Sequence, residues 1–258
     1  MTAPPLLDIN TWVGAWPFRQ LRDGSISGLL KRMDKHGIER AVVGSLTGVL
    51  YRNAHPANED LARQVRRHLD RLVPFALANP MDPSWEEDLR RCADDLGFLG
   101  VRLVPQYHEY QLTDPGALEL IDAIAERGWC IQIPQRIEDR RTRHPWDRAR
   151  DLSQSEFEQI LKARPKDGWM FLNALGLDGS RLPENARYVV DISRMASVLQ
   201  RNMQTFLDTA GPEHLAFGTG MNWNVPEPAL LKLQLLDRPK KIRDGIAWRN
   251  AARLLKLP

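Results

Sequence analysis

Short apolar and β-branched runs alternate along the chain with longer stretches in which apolar residues recur at helical spacing. Eight runs read as strands: LLDINTWV from Leu6, RAVVGSL from Arg40, RLVPFALANP from Arg71, LGVRLVP from Leu99, WCIQIPQ from Trp129, GWMFLNAL from Gly168, ARYVVDIS from Ala186 and HLAFGTG from His214. The stretches SISGLLKRMDKHG, HPANEDLARQVRRHLD, SWEEDLRRCADDLG, DPGALELIDAIAERG, SQSEFEQILKARP, ASVLQRNMQTFLDTAG and PEPALLKLQLLD read as helices. Ser84 with Glu87, and Ser153 with Glu156, have capping-box spacing, and Asp114-Pro115 offers an N-cap followed by a first-turn proline. Gly37, Gly97, Gly128 and Gly211 stand where helices should stop. Leu118, Ile121 and Ala125 repeat at helical spacing and form a stripe that faces the sheet.

This alternation predicts βαβ units and a parallel sheet. An open doubly wound sheet would use the same pattern, but neither GxGxxG nor a GxxxxGK phosphate loop follows any strand, which counts against its nucleotide-binding version. The strand count favours an α/β fold of the (β/α)8 TIM-barrel type, a single domain over residues 1–258. The segment LGLDGSRLPENA is too short for a regular helix, and the tail from Lys240 is expected to add a helix that closes one end.

At 258 residues and 43% hydrophobic composition the chain has the length and apolar content of one such barrel. No apolar run approaches the roughly 18 residues of a membrane span, and MTAPPLLD lacks the layout of a signal peptide, so a cytoplasmic protein without membrane partners is expected. Cys92 and Cys130 form no CxxC pair and read as buried free thiols. The net charge of +3 comes from basic residues interspersed with acids, which argues against nucleic-acid binding. The densest basic stretch, Arg136 to Arg150, reads first as a solvated loop, and alternatively as the cover of a pocket for an anion.

Several segments, in order, resemble the amidohydrolase-related family that includes the aminocarboxymuconate-semialdehyde decarboxylase-like metal hydrolases and lyases. Asp8-Ile9-Asn10-Thr11-Trp12 falls where the family has D-x-H-x-H, and Asn58, Glu59 and Arg71 to Ala76 look like its second helix and third strand. Gly100 to Pro105 looks like its G-I/V-K-L-x-P strand, Phe217 to Gly220 falls at F-G-S-D, and Asn250 to Leu255 looks like its closing N-A-x-R-L helix. The resemblance implies a barrel, a small carboxylate-bearing substrate, a hydrolytic or lyase step, and pairing of outer helices into a homodimer.

It also implies a divalent metal, and there the chain departs from the pattern. The paired first-strand His positions hold Asn10 and Trp12, the fifth-strand His position holds Pro134, the sixth holds Ala174 or Asn173, and the final Asp position holds Gly220. Zinc-like ions take imidazole, thiolate or carboxylate donors, usually three from the protein at a catalytic site. The expectation is therefore no metal and no other cofactor.

Pocket-lining positions in a barrel lie at strand C-termini and in the loops that follow. These select Asp8, Asn10, Trp12, Trp16 and Arg19 from the first strand, and Ser45 and Arg52 from the second. Later strands add Arg102, Gln106, His108, Gln132, Gln135, Arg136, Asn173, Asp191, Ser193, Thr219, Asn222 and Trp223. His108, with a free pKa near ~6.5, is the candidate general base, with Asp8 as a second acid–base group. Arg102, at the family's Lys position, offers a planar fork for an anion, as does Arg136; its structural alternative is an ion pair with Asp8 or Asp191. Asn10, Trp12, Arg19, Gln135, Asn173, Asp191 and Asn222 complete the candidate binding set for a small anionic or polyhydroxylated molecule. Trp12, Trp16, Trp146 and Trp223 could offer stacking surfaces, and His55, His108 and His144 are the donors left for a rebuilt metal site. The other functional class is a non-catalytic barrel that serves as a binding or regulatory partner.

Overall fold

A computed structural model describes residues 4–257. Strands β1 (Leu6–Val13), β2 (Ile38–Ser45) and β3 (Leu72–Pro74) form one parallel sheet, and β4 (Ala76–Leu77), β5 (Gly100–Arg102), β6 (Cys130–Pro134), β7 (Gly168–Leu172), β8 (Tyr188–Asp191) and β9 (Leu215–Ala216) form another. β3 and β4 are two parts of one barrel position, separated by Phe75, whose N–H donates to Val43 O at 2.9 Å. The last strand returns to the first: Ile9 N donates to Phe217 O (3.0 Å), Gly220 N to Asn10 O (3.0 Å) and Trp12 N to Met221 O (2.6 Å). The eight expected strand positions are thus all occupied, as an α/β barrel.

Helices follow the strands: α1 (Ile26–His36), α2 (His55–Val65), α3 (Trp85–Asp94), α4 (Pro105–His108), α5 (Pro115–Glu126), α6 (Gln154–Ala163), α7 (Asn202–Ala210) and α8 (Glu227–Gln234). None among the described residues is long and apolar enough to cross a membrane. Between β7 and β8 there is only a 3-10 turn at Gly179–Arg181, because the connection is too short for more. The Ser153–Glu156 capping box forms, with each side chain satisfying the other's backbone N–H. The Ser84 box does not: its hydroxyl bonds Asp82 and Asp88 instead of the helix N-terminus. Gly37, Gly97, Gly128 and Gly211 all carry positive φ, as helix stops require.

The core has three parts. Leu29, Leu61, Ile121, Phe157 and Phe206 pack the helices onto the outer face of the strands. Inside the barrel, Leu7, Ile9, Val73, Phe75, Met170 and Val189 meet Ala251 and Leu254 of the last helix, α10 (Asn250–Leu255), which follows α9 (Lys240–Asp244) and a π turn at Gly245–Arg249. That tail closes the N-terminal end of the barrel. A third cluster, with Trp12, Trp16, Val49, Val104 and Ile137, fills the opposite, C-terminal end. Cys92 and Cys130 are buried free thiols.

Candidate functional site

β1 does not alternate regularly here: Leu7 and Ile9 join the interior cluster, the pairing with β2 shifts register between Asp8 and Thr11, and around that irregularity Asp8, Asn10 and Trp12 are all fully buried. Asp8 Oδ1 accepts from Asn10 N (2.9 Å) and Thr219 N (3.1 Å), and Oδ2 accepts from the Thr219 hydroxyl (2.5 Å). Asn10 Nδ2 donates to Asp191 Oδ2 (2.6 Å) and Asn173 Oδ1 (2.9 Å), while its Oδ1 accepts from the Trp12 indole (3.0 Å). Asp191 Oδ1 accepts from Asn173 N and the Ser193 hydroxyl, each at 3.0 Å. A Cβ at Gly218 would stand 2.7 Å from Asp191 Cβ, so only glycine leaves room for this carboxylate.

Arg102, on β5, is buried in the same layer. Its Nε and Nη2 both donate to Gln132 Oε1 (2.8 and 2.6 Å), Nη1 donates to Thr11 O (3.1 Å), and the guanidinium lies 3.8 Å from the centre of the Trp12 ring. Gln132 is held in turn by Ile9 O at 2.7 Å. Burial pulls Arg102 down to about 9, while the charges of Asp8 and Asp191 oppose the fall, so it remains cationic at neutral pH. Burial pushes Asp8 up to about 7 against its hydrogen bonds from Thr219 and Asn10, and raises Asp191 for the same reason. A buried cation thus lies within the field of two buried carboxylates, while its own hydrogen bonds go to Gln132 and Thr11. The neighbouring strand accommodates it through Gly44, where a Cβ would stand 2.6 Å from Arg102 Nη1. Gly44→Ala should therefore cost about 1–3 kcal/mol by overpacking; an unchanged urea midpoint would show that the guanidinium is free to move.

Above this layer, residues 136–152 cross the mouth as a strap. Ile137 is buried, and Glu138 is 2% exposed, deep within what its charge density suggests is a solvated loop. Three arginines, Arg136, Arg140 and Arg143, converge on Asp151 at 2.9, 3.1 and 2.9 Å. The strap is tied down by Arg194 on Asp139 (2.9 Å), by the Tyr107 hydroxyl donating to Asp147 (3.0 Å), and by His144 stacked on Phe18 at 5.4 Å. Arg19 Nη1 lies 3.2 Å from Glu138 Oε1 without hydrogen-bond alignment, and its guanidinium covers the Trp223 ring at 5.1 Å. Trp16 meets Phe18, Tyr107 and Trp223 edge-on beneath it.

The structure therefore divides the sequence-derived candidates. Asp8, Asn10, Trp12, Arg102, Asn173 and Asp191 come together, but as a satisfied internal network; Arg102 is no open anion clamp, and its fork goes to Gln132 and Thr11 rather than into the expected ion pair with Asp8 or Asp191. Arg19 and Arg136 stay at the mouth, Asn222 Nδ2 donates to Trp12 O at 2.8 Å, and Gln135 Oε1 accepts from Leu175 N at 2.7 Å, which joins two loops. His108 is apart from this network. It ends α4, is buried rather than solvated, lines a cleft of about 340 Å³ with Tyr51, Arg52, Met81 and Tyr107, and burial lowers it to about 4. Neither ring nitrogen has a hydrogen-bond partner. Trp146 is 78% exposed and His55 sits between Glu59 and Asp88, so His55, His108 and His144 do not meet. The residue missed in the sequence is Glu138; its signal was Ile137, an apolar residue three positions past the end of β6 in an otherwise charged segment.

The sequence profile of the amidohydrolase family matches residues 16–153, more than half of the chain. The chain belongs to the amidohydrolase family. No curated protein matches it by sequence. Among solved structures, 5-carboxyvanillate decarboxylase from Sphingomonas paucimobilis is similar at 14% identity and a TM-score of 0.75, over 99% of this chain and 100% of that one. The 2,6-dihydroxybenzoate decarboxylase from Rhizobium is 18% identical with a TM-score of 0.72, over 99% of each chain. A variant 5-carboxyvanillate decarboxylase from Novosphingobium aromaticivorans, with bound manganese and 3-methoxy-4-hydroxy-5-nitrobenzoic acid, is 14% identical with a TM-score of 0.73, over 98% of this chain and 97% of that one. At these identities the likeness establishes the fold.

The donors of this amidohydrolase-family barrel do not fit a divalent cation. At the positions that the family resemblance assigns to ligands, Trp12, Pro134, Ala174 and Gly220 have no donor side chain of the required kind, and Asn173, the other candidate for the sixth position, has an amide oxygen that already accepts from Asn10 and Ser193. Asn10 has one oxygen, which already accepts from Trp12, and its amide donates to Asp191 and Asn173. Among the described residues no group of three His, Cys, Asp or Glu is arranged to hold a metal.

Proposed function

We propose that this amidohydrolase-family protein takes a small carboxylate-bearing molecule at the C-terminal face of its single barrel domain, without a divalent metal. The observation that supports this reading is the state of Asn10: every hydrogen-bonding group that it could turn toward a cation is committed to Trp12, Asp191 or Asn173. Arg102 supplies positive charge inside the barrel, so the neighbouring carboxylates do not need an ion to neutralise them. At the mouth the cationic groups nearest a ligand are Arg19, half-exposed beside Trp223, and Arg136, which shares Asp151 with Arg140 and Arg143 and would have to be drawn from it. The relatives' carboxylate ligands agree with this class of molecule.

A second reading, a non-catalytic binding or regulatory partner, is favoured by the same inner network. Asp8 is buried with both oxygens satisfied, so it is poorly placed to move a proton to or from a ligand. Titration of hydroxybenzoate-type carboxylates in the presence of a chelator tests the common claim. Binding should persist with chelator and fall about tenfold, roughly 1.4 kcal/mol, in Arg136→Ala. Binding that required added metal would refute it. Release of carbon dioxide or a hydrolysis product from the bound acid separates the catalytic reading from the binding one.

A further inference from the structure

Glu138 is a buried carboxylate in an unusual setting. Buried charges in proteins are ordinarily both paired and hydrogen-bonded. Here neither oxygen completes a well-formed hydrogen bond: the Trp16 indole N–H approaches without good alignment, and the single charged contact is the poorly aligned approach of Arg19 at 3.2 Å. Donors without acceptors lie close by. The Trp16 indole N–H, beside this carboxylate, and the Trp223 indole N–H are both buried without a well-formed partner. So two donor side chains, Arg19 and Trp16, face one acceptor that satisfies neither of them well, and the Trp223 ring packs against both.

We propose that this is a carboxylate-binding site held in a self-liganded form. Glu138 occupies the place of a free carboxylate, and a planar monocarboxylate takes over Arg19 and Trp16, against the Trp223 ring, when the 136–152 strap moves aside. This rests on the reading that the mouth takes small carboxylates, and it adds the residues, the ligand shape and the competitor. An untethered carboxylate can align with both donors, which the Glu138 side chain, fixed to the strap, does not do. The edge-on aromatic walls, with ring centres 5.4–5.8 Å from Trp16, suit a flat ring over a bulky or branched one. Burial raises the Glu138 carboxyl above its usual range despite the opposing Arg19 charge and Trp16 N–H, so these two donors do not offset its burial. The strap carries its own reporter: Arg140 and Arg141, the second 87% exposed, stand at its tip as trypsin sites.

The test uses sodium benzoate as probe and benzamide as its neutral counterpart, with the full chain, its Glu138→Gln and Arg19→Ala variants and the double variant. Glu138→Gln keeps the shape of the side chain but removes the competing charge, so it should bind benzoate at least about tenfold more tightly than the unaltered protein. Benzamide should not bind, and Arg19→Ala should abolish binding in either background. Saturating benzoate should also speed tryptic cleavage after Arg140 or Arg141, the reverse of ordinary ligand protection. A Glu138→Gln protein that melts cooperatively yet binds benzoate no better, with binding still lost in Arg19→Ala, would overturn the self-ligand inference alone. So would benzoate that slows cleavage. Cooperatively folded proteins that bind neither benzoate nor any hydroxybenzoate would overturn the inference together with the reading on which it rests.

Discussion

Arg102→Leu is expected to destabilise the protein by about 3–5 kcal/mol, the range for removing one partner from a buried charge cluster. The guanidinium gives Gln132 Oε1 two hydrogen bonds and Thr11 O one, and it supplies the positive charge that Asp8 and Asp191 feel. Leucine fills part of the volume but leaves those acceptors and both carboxylates in a dry interior. Lysine should rescue little, since one ammonium cannot reproduce the fork on Gln132 together with the flat contact on Trp12. Urea unfolding of the two variants measures this. A loss below about 1 kcal/mol in Arg102→Leu would mean that the layer is open to water and that its charges are screened.

Stability should also fall as pH rises from about 4 to about 7. Asp8 has an ordinary pKa near ~3.9 when unfolded but about 7 when folded, because burial disfavours its charge. Between those values the native state binds the proton that the unfolded state has released. The contribution is complete below the unfolded value and is lost as pH passes through the folded one. For Asp8 alone the full excursion is on the order of 4 kcal/mol, and Asp191 is shifted in the same direction. Asp8→Asn keeps acceptance from the N–H groups of Asn10 and Thr219 and should flatten the slope. Equal slopes in the two proteins between pH 5 and 8 would show that Asp8 is ionised and compensated throughout.

Periodicity in the sequence was enough to locate the strands. The strand-end positions of Asp8, Asn10, Trp12 and Arg102 pointed to the right layer of the barrel, whereas the register shift on β1 between Asp8 and Thr11 left no mark in the sequence pattern. What Arg102 does there was not legible: its partners Gln132, Thr11 and Trp12 come from other strands, and whether a fork meets a ligand or a side-chain amide depends on that three-dimensional neighbourhood. His108 misled for a related reason. A His two residues beyond Gln106 reads as mouth-facing, but the α4 turn from Pro105 to His108 aims it into a separate cleft. Glu138 was hidden by composition, since Arg-rich segments are normally solvated, whereas here ion pairs to Asp139, Asp147 and Asp151 satisfy the arginines locally and let the segment lie over the mouth.

The central claim is that Arg102 and the hydrogen-bonded Asn10 layer stand in place of a metal. Its most direct test is elemental analysis of chelator-treated and untreated protein, paired with melting curves in manganese and zinc. A metal that bound only the folded state at a hundred times its dissociation constant would add about 2.7 kcal/mol, a clear rise in melting temperature. The account predicts substoichiometric metal in both preparations and no rise. About one manganese, zinc or iron per chain, removed by chelation with a matching loss of stability, would contradict it.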